Sequence, residues 1–176
     1  MSLVLLVAPS GRGKTTVCET LVAAAQKQAW RVGGVLSPPC WQHGRKTRIL
    51  LRDVATGETR PLAYPASAPQ ADVGQWRFVP ETVAWGNERL ARLRHTDLLV
   101  IDEIGPLELC RGQGLQAALQ TLQRATYRLA VVTVRPEMAP LLAQHLASRH
   151  PTFLELTTQN RGTLPSALLE RLAAAA

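Results

Sequence analysis

The chain has 176 residues, 20 Lys+Arg against 13 Asp+Glu, a formal net charge of +7, 46% hydrophobic and 19% charged residues. That balance argues against a disordered segment or a coiled coil, and the length suits one compact domain spanning 1–176. The longest uninterrupted apolar run, residues 3–8, is far short of a membrane span, and Met1-Ser2 is not the charged start of a secretory signal; a cytoplasmic protein with no membrane partner is expected.

In chain order, residues 3–8 form a continuous apolar run of strand length, ended by Pro9-Ser10-Gly11-Arg12-Gly13. A helical stretch follows to about Trp30, with Val17, Leu21, Val22 and Ala25 at helical spacing. Residues 31–36 read as a strand, broken by Ser37-Pro38-Pro39. Residues 47–63 read as a β-hairpin turning at Ala55-Thr56-Gly57-Glu58, with Pro61 confining it to a sheet edge. Residues 64–75 read as loop and 76–79 as a short strand. Pro80-Glu81-Thr82 then opens a helix to about His95, since proline and glutamate suit a first turn whose amides lack partners.

Residues 97–102 are another buried strand, and 113–125 a helix. A strand at 128–134, a helix at 137–148, a strand at 152–156 and a helix at 164–175 complete the pattern. Strands that alternate with helices and are apolar on both faces predict an α/β fold: a mostly parallel sheet with helices on both faces, in three layers, with a small β-hairpin insertion near 47–63.

Charge alone does not identify a partner. All but Lys14, Lys27 and Lys46 of the basic residues are arginines, and they are dispersed. The nearest approaches to clusters are Arg45-Lys46-Thr47-Arg48 with Arg52, and Arg89, Arg92 and Arg94 on one predicted helix. No basic run interleaved with aromatics marks a nucleic-acid track, so an anionic ligand is expected and nucleic acid is left as an open extra. Cys18, Cys40 and Cys110 suit reduced thiols, and Cys40-Trp41-Gln42-His43 is half a zinc site whose other ligands are wanting.

The chemistry begins where the first strand turns into the first helix. Ala8-Pro9-Ser10-Gly11-Arg12-Gly13-Lys14-Thr15 matches the phosphate-binding loop G-x-x-x-x-G-K-[ST] except for alanine in first place. Small residues let backbone amides curl round a phosphate, and the helix adds its positive end. The lysine reaches β/γ oxygens and the hydroxyl binds Mg²⁺. Alanine is tolerable there if its φ is negative, as at the end of a strand. The second element is residues 98–103, apolar and ending in Asp102-Glu103 at the carboxyl end of a buried strand, the edge where ligands collect in open α/β sheets. In P-loop proteins an aspartate here holds Mg²⁺, and an adjacent glutamate can polarise the attacking water.

The sequence resembles the small thermophile-type nucleoside-triphosphatase family of P-loop proteins. The resemblance is carried by residues 8–16, Val32-Gly33-Gly34-Val35, Phe78-Val79-Pro80-Glu81, residues 100–109 with the selective string Asp-Glu-Ile-Gly-x-x-Glu-Leu, and Thr157-Thr158-Gln159-Asn160-Arg161. It implies a three-layer P-loop nucleoside-triphosphatase fold and a slow ATPase or GTPase of broad base preference. Carried over by position, Lys14 contacts β/γ phosphates, Thr15 ligates Mg²⁺, Thr16 adds an α-phosphate contact, Asp102 supports the metal and Glu103 activates water.

Asn160 and Arg161 fall where related folds bring a loop over the base, or else cap the last helix. Arg135 and Arg111 are each either an internal arginine finger or a solvated surface arginine, and Arg12 lies over the phosphates or points to solvent. Glu108 suits a scaffold role, accepting hydrogen bonds in its turn. Trp85, at helical spacing from Arg89 and Arg92, suits packing.

Three activities remain open on these residues. The first is Mg²⁺-dependent hydrolysis of ATP, GTP and other nucleoside triphosphates by a monomer. The second is a nucleotide or polynucleotide kinase with residues 38–75 as acceptor site. The third is a non-catalytic switch acting through a partner, against which the guanine-reading string Asn-Lys-x-Asp is absent. A glutamate beside the metal aspartate favours water as the acceptor.

Overall fold

The apolar runs bounding the phosphate-binding loop and the Asp102-Glu103 pair are strands buried on both faces, and the computed structural model, which describes residues 1–175, joins them in one sheet. The first strand, β1 (Ser2–Val7), leads through the loop into α1 (Lys14–Lys27). Strands β2 (Val32–Leu36), β7 (Leu98–Ile104), β8 (Leu129–Val134) and β9 (Thr152–Glu155) run parallel with it in the spatial order β2-β7-β8-β1-β9. Beyond β2 the direction reverses. The antiparallel strands β4 (Arg45–Asp53), β5 (Thr59–Pro65) and β6 (Trp76–Phe78) extend the sheet, and β3 (Pro39–Gln42) pairs β4.

Period-two alternation divides the core between the two faces. Leu3 and Leu5 of β1, Leu99 and Ile101 of β7 and Ala130 and Val132 of β8 join one cluster, closed by α2 (Pro80–Arg92), α4 (Gln116–Arg124) and α5 (Ala139–His145). Val4 and Leu6, Leu98 and Val100, and Leu129 and Val131 join the other, under α1 and α6 (Leu164–Ala174). Each fully buried Leu, Ile or Val among them contributes about 1.5–3 kcal/mol of transfer free energy. This is the expected three-layer α/β arrangement, and Trp85 packs in the first cluster as its spacing suggests.

The expected hairpin is longer and is one part of a larger antiparallel unit. The break expected at Ser37-Pro38-Pro39 gives way to a strand, β3, already at Pro39, because a proline lacks only its N–H and keeps its carbonyl as an acceptor, that of Pro38 taking the Leu50 amide at 3.0 Å. Strand β5 lies between β4 and β6 rather than at the edge. Pro61 is tolerated because β6 pairs only Ala63, Tyr64 and Pro65, so no strand lies beside Pro61 on that side. The five-residue helix α3 (Pro106–Cys110) was also unexpected. Pro106 occupies the first helical position, where its missing N–H costs nothing and its fixed φ suits the helix.

Gly34 is the backbone position on which β2 depends. Its φ is +107°, and a Cβ there would lie 1.9 Å from the Val100 carbonyl oxygen on β7. Gly34→Ala is therefore expected to destabilise the fold by about 3 kcal/mol or more, read as a lower midpoint in urea unfolding, because strain and overlap act together.

Candidate functional site

The loop takes its curvature from two left-handed glycines, Gly11 at φ +77° and Gly13 at φ +94°, the second being the residue that caps α1. Ala8, in the place of the usual glycine, is buried at negative φ and needs no glycine freedom. Lys14 opens α1 and is 7% exposed. Its Nζ donates to the carbonyls of Ala8 at 2.6 Å and Pro9 at 3.0 Å, so the ammonium folds back into the loop. Burial lowers its pKa, and the negative charges of Glu103 and Asp102 act against that lowering.

Both carboxylates come from the end of β7. Asp102 is 2% exposed; its Oδ2 accepts from the Ser37 amide at 3.1 Å and its Oδ1 from the Thr133 hydroxyl at 2.9 Å. Burial raises the Asp102 pKa, against hydrogen bonds from Thr15, Ser37 and Thr133. Immediately after it the register between β7 and β8 shifts, and Glu103 adopts φ +69°, a left-handed conformation uncommon outside glycine. The Glu103 amide donates to the Thr133 hydroxyl at 2.8 Å. Such a bulge re-aims a side chain, and the Glu103 carboxylate meets Arg135 from the end of β8, Nε to Oε1 at 2.7 Å and Nη2 to Oε1 at 2.7 Å. At 35% and 40% side-chain exposure this ion pair orients more than it stabilises.

A cavity of about 370 Å³ opens over these groups. Ser10, Gly11, Gly13, Lys14, Thr15, Thr16, Asp102, Glu103 and Arg135 all reach it. Ala8 is buried behind the loop, whereas Pro9 and Arg12 are exposed and outside the lining. Asn160 and Arg161 do not line the cavity either. The Asn160 side chain is used in its own turn, Oδ1 accepting from the Thr157 amide at 2.9 Å and Nδ2 donating to the Glu155 carbonyl at 2.8 Å. Its carbonyl accepts the amides of Thr163 and Leu164 at the start of α6. Arg111 is exposed and donates to the Asp72 carbonyl at 2.5 Å, away from the carboxylates.

Glu108 has the scaffold role its turn suggests, accepting from the Gly105 amide at 3.0 Å and the Leu115 amide at 2.8 Å. Sequence reasoning missed Thr133 and Ser37, whose buried hydroxyl and amide hold Asp102; a threonine in an apolar strand carries no local sign of such a task. The far wall of the cavity carries Trp41 and Trp76, tryptophans whose sequence setting suits either stacking on a base or covering the core edge, together with Phe78, which sequence reasoning missed.

Residues 3–169 match the family model described as NTPase. The chain is 27% identical over 183 residues to nucleoside-triphosphatase THEP1 of Methanopyrus kandleri, covering 96% of this chain and 94% of that one. It is 30% identical over 173 residues to the protein of that name from Methanosarcina acetivorans, covering 92% and 91%. In three dimensions it is similar to the solution structure of a human cancer-related nucleoside triphosphatase, at a TM-score of 0.79 and 23% identity over the whole of both chains.

Because the folded-state pKa of Asp102 lies above its ordinary value of 3.8, its protonated form is favoured on folding. The associated stability is complete below about pH 3.8 and is lost as pH rises through the folded value. Asp102→Asn is accordingly expected to raise the melting temperature of the nucleotide-free protein at pH 7, with a gain that shrinks on acidification, as scanning calorimetry across pH would read. The amide can still accept from Ser37 while donating to Thr133.

Proposed function

This chain belongs to the NTPase family and is a nucleoside-triphosphatase, and we propose that it hydrolyses ATP, GTP and other nucleoside triphosphates to the diphosphate and phosphate in a Mg²⁺-dependent, slow reaction of broad base preference. The observation that carries the reading is the left-handed turn at Glu103, which brings a carboxylate to the cavity shared with Lys14. A strained conformation persists where the surroundings over-determine it, here through Thr133 and Arg135.

The loop amides and the positive end of α1 cradle the β-phosphate, and Lys14 exchanges the Ala8 and Pro9 carbonyls for β/γ oxygens. Thr15 and Asp102 offer a hydroxyl and a buried carboxylate to one cavity, hard oxygen donors that would suit and hold Mg²⁺ there. When bound, the ion neutralises charge on the β and γ oxygens. Glu103 accepts the proton of the attacking water, and Arg135 both orients that carboxylate and presents its charge to the γ-phosphoryl oxygens. Thr16 adds an α-phosphate contact. The exposed segment at Asn160 and Arg161 flanks the base without gripping it, which fits a broad base preference. We take residues 1–176 as one domain acting as a monomer.

Phosphate release with Mg²⁺ and ATP or GTP tests the assignment. Glu103→Gln is expected to lower kcat on the order of 10²- to 10⁴-fold with little change in nucleotide affinity. Lys14→Ala should lose most nucleotide affinity by calorimetry, and chelation of Mg²⁺ should abolish turnover. Undiminished phosphate release by Glu103→Gln would remove the general-base assignment. Arg135→Ala is expected to lower kcat more than it raises KM, because its charge is needed most where negative charge develops.

A further inference from the structure

The cavity has a second compartment that hydrolysis does not use. Past Glu103 it is walled by Leu62, Phe78, Val83, Leu107 and Leu115, with Trp76 and the 62%-exposed Trp41 beside them. Apolar and aromatic side chains left facing an open cavity of small-molecule size are the usual signature of an organic ligand site. Lys46 supplies one charge there. Its Nζ lies 5.3 Å from the Trp76 ring centroid, and no carboxylate forms an ion pair with it among the described residues.

The topology separates this compartment from the nucleoside. Strands β8, β7, β2 and the antiparallel extension all lie on one side of β1, and β9 alone lies on the other. Glu103 and Arg135 stand at the ends of β7 and β8, and the apolar walls come from β5, β6 and α2 further out in the same direction. With the γ-phosphate facing Glu103, the phosphate chain runs back past Lys14, and the nucleoside leaves on the β9 flank. The apolar compartment therefore lies beyond the γ-phosphate.

We propose that this compartment is a second ligand site, taking a small flat aromatic ring with an acidic substituent, the ring against Trp76 and Phe78 and the acid at Lys46, occupied together with the nucleotide. The inference rests on the reading of Glu103 as the group that faces the γ-phosphate. An occupant there covers the approach to the γ-phosphate that water uses, so it lowers turnover without competing for the nucleotide site.

Anilinonaphthalene sulfonate, a flat aromatic anion, is a suitable probe on the full chain. Titrations with and without Mg²⁺ and a non-hydrolysable ATP analogue are expected to give one dye per chain, with affinities that agree to within about twofold. Trp76→Ala and Lys46→Ala, each checked for folding by circular dichroism, should each weaken dye binding by about tenfold. In the steady state the dye should lower kcat for ATP and leave KM nearly unchanged. Displacement of the dye by the ATP analogue, or a rise in KM alone, would assign the compartment to the nucleobase and overturn the proposal. Dye binding indifferent to both substitutions would overturn it as well. Joint binding of dye and analogue by a protein that, without dye, releases no phosphate from ATP would instead defeat the hydrolytic reading and leave the second site standing, while failure of the analogue to bind would remove the premise of both.

Discussion

The Thr133 hydroxyl donates to Asp102 at 2.9 Å and accepts from the Glu103 amide at 2.8 Å, and the arrangement of the site follows from that bridge. Strand β8 lies between β1 and β7, so the loop and the carboxylate pair belong to strands that do not touch. From the intervening strand, the buried Thr133 side chain ties the two carboxylate residues of β7 to each other. By taking the Glu103 amide out of the regular ladder, Thr133 gives the bulge an internal partner, and the left-handed φ of Glu103 needs no unsatisfied amide. An ordinary β conformation would continue the alternation of β7 and send the Glu103 side chain to the face opposite Asp102.

The same bridge sets the charge balance. Asp102, Glu103, Lys14 and Arg135 form two acids and two bases within one cavity, with Asp102 and Lys14 buried and the other two half-exposed. Lys14 is desolvated but faces both carboxylates, and Asp102 is desolvated but receives hydrogen bonds from Ser37 and Thr133. Among the described residues neither ion has a direct salt bridge of its own. A highly charged triphosphate with its cation can therefore enter by displacing backbone carbonyls from Lys14 rather than by breaking a buried ion pair, which would cost several kcal/mol. Elsewhere the positive balance is partly spent on scaffolding: Arg89 pairs with Asp53, Arg31 and Arg128 with Asp97, and Arg92 with Glu88. Two of the three arginines that the sequence grouped on one helix are among these.

What was legible in the sequence was whatever is written locally. Strands β1, β7 and β8 carry continuous apolar runs, and the loop is a contiguous string whose lysine and hydroxyl occupy fixed places, so both are readable without tertiary information. The family string containing Asp102 and Glu103 was readable for the same reason, and Glu108 follows it with its two amide partners three and seven residues away. Thr133 and Ser37 were not, because their roles arise from strand order and lie 31 and 65 residues from Asp102. Strand β3 and helix α3 were hidden by proline, whose meaning depends on whether its missing N–H faces a neighbouring strand or the free first turn of a helix. The apolar compartment was least legible, since Leu62, Phe78, Val83 and Leu115 meet only after the antiparallel unit folds over α2 and α3.

That antiparallel unit separates scaffold from specificity. The parallel half needs nothing from β3 to β6 to place the loop beside Asp102 and Glu103, because β8 and β1 already do so. Yet the extension is stitched in firmly: Leu51 and Leu62 are in the main core cluster, Arg60 stacks 4.6 Å from the Trp85 centroid, and Arg89 of α2 reaches Asp53 at the end of β4 at 2.7 Å. An element that is anchored in the core but offers aromatic surface to the cavity is placed to define what stands next to the phosphates. On the proposed reading, the division is between a loop and carboxylates suited to the triphosphate and an apolar wall whose shape is set by the core-anchored extension. On that same reading, the side of the sheet farthest from β9 is where an occupant beside the phosphates would be selected, at a distance from the Thr133 bridge.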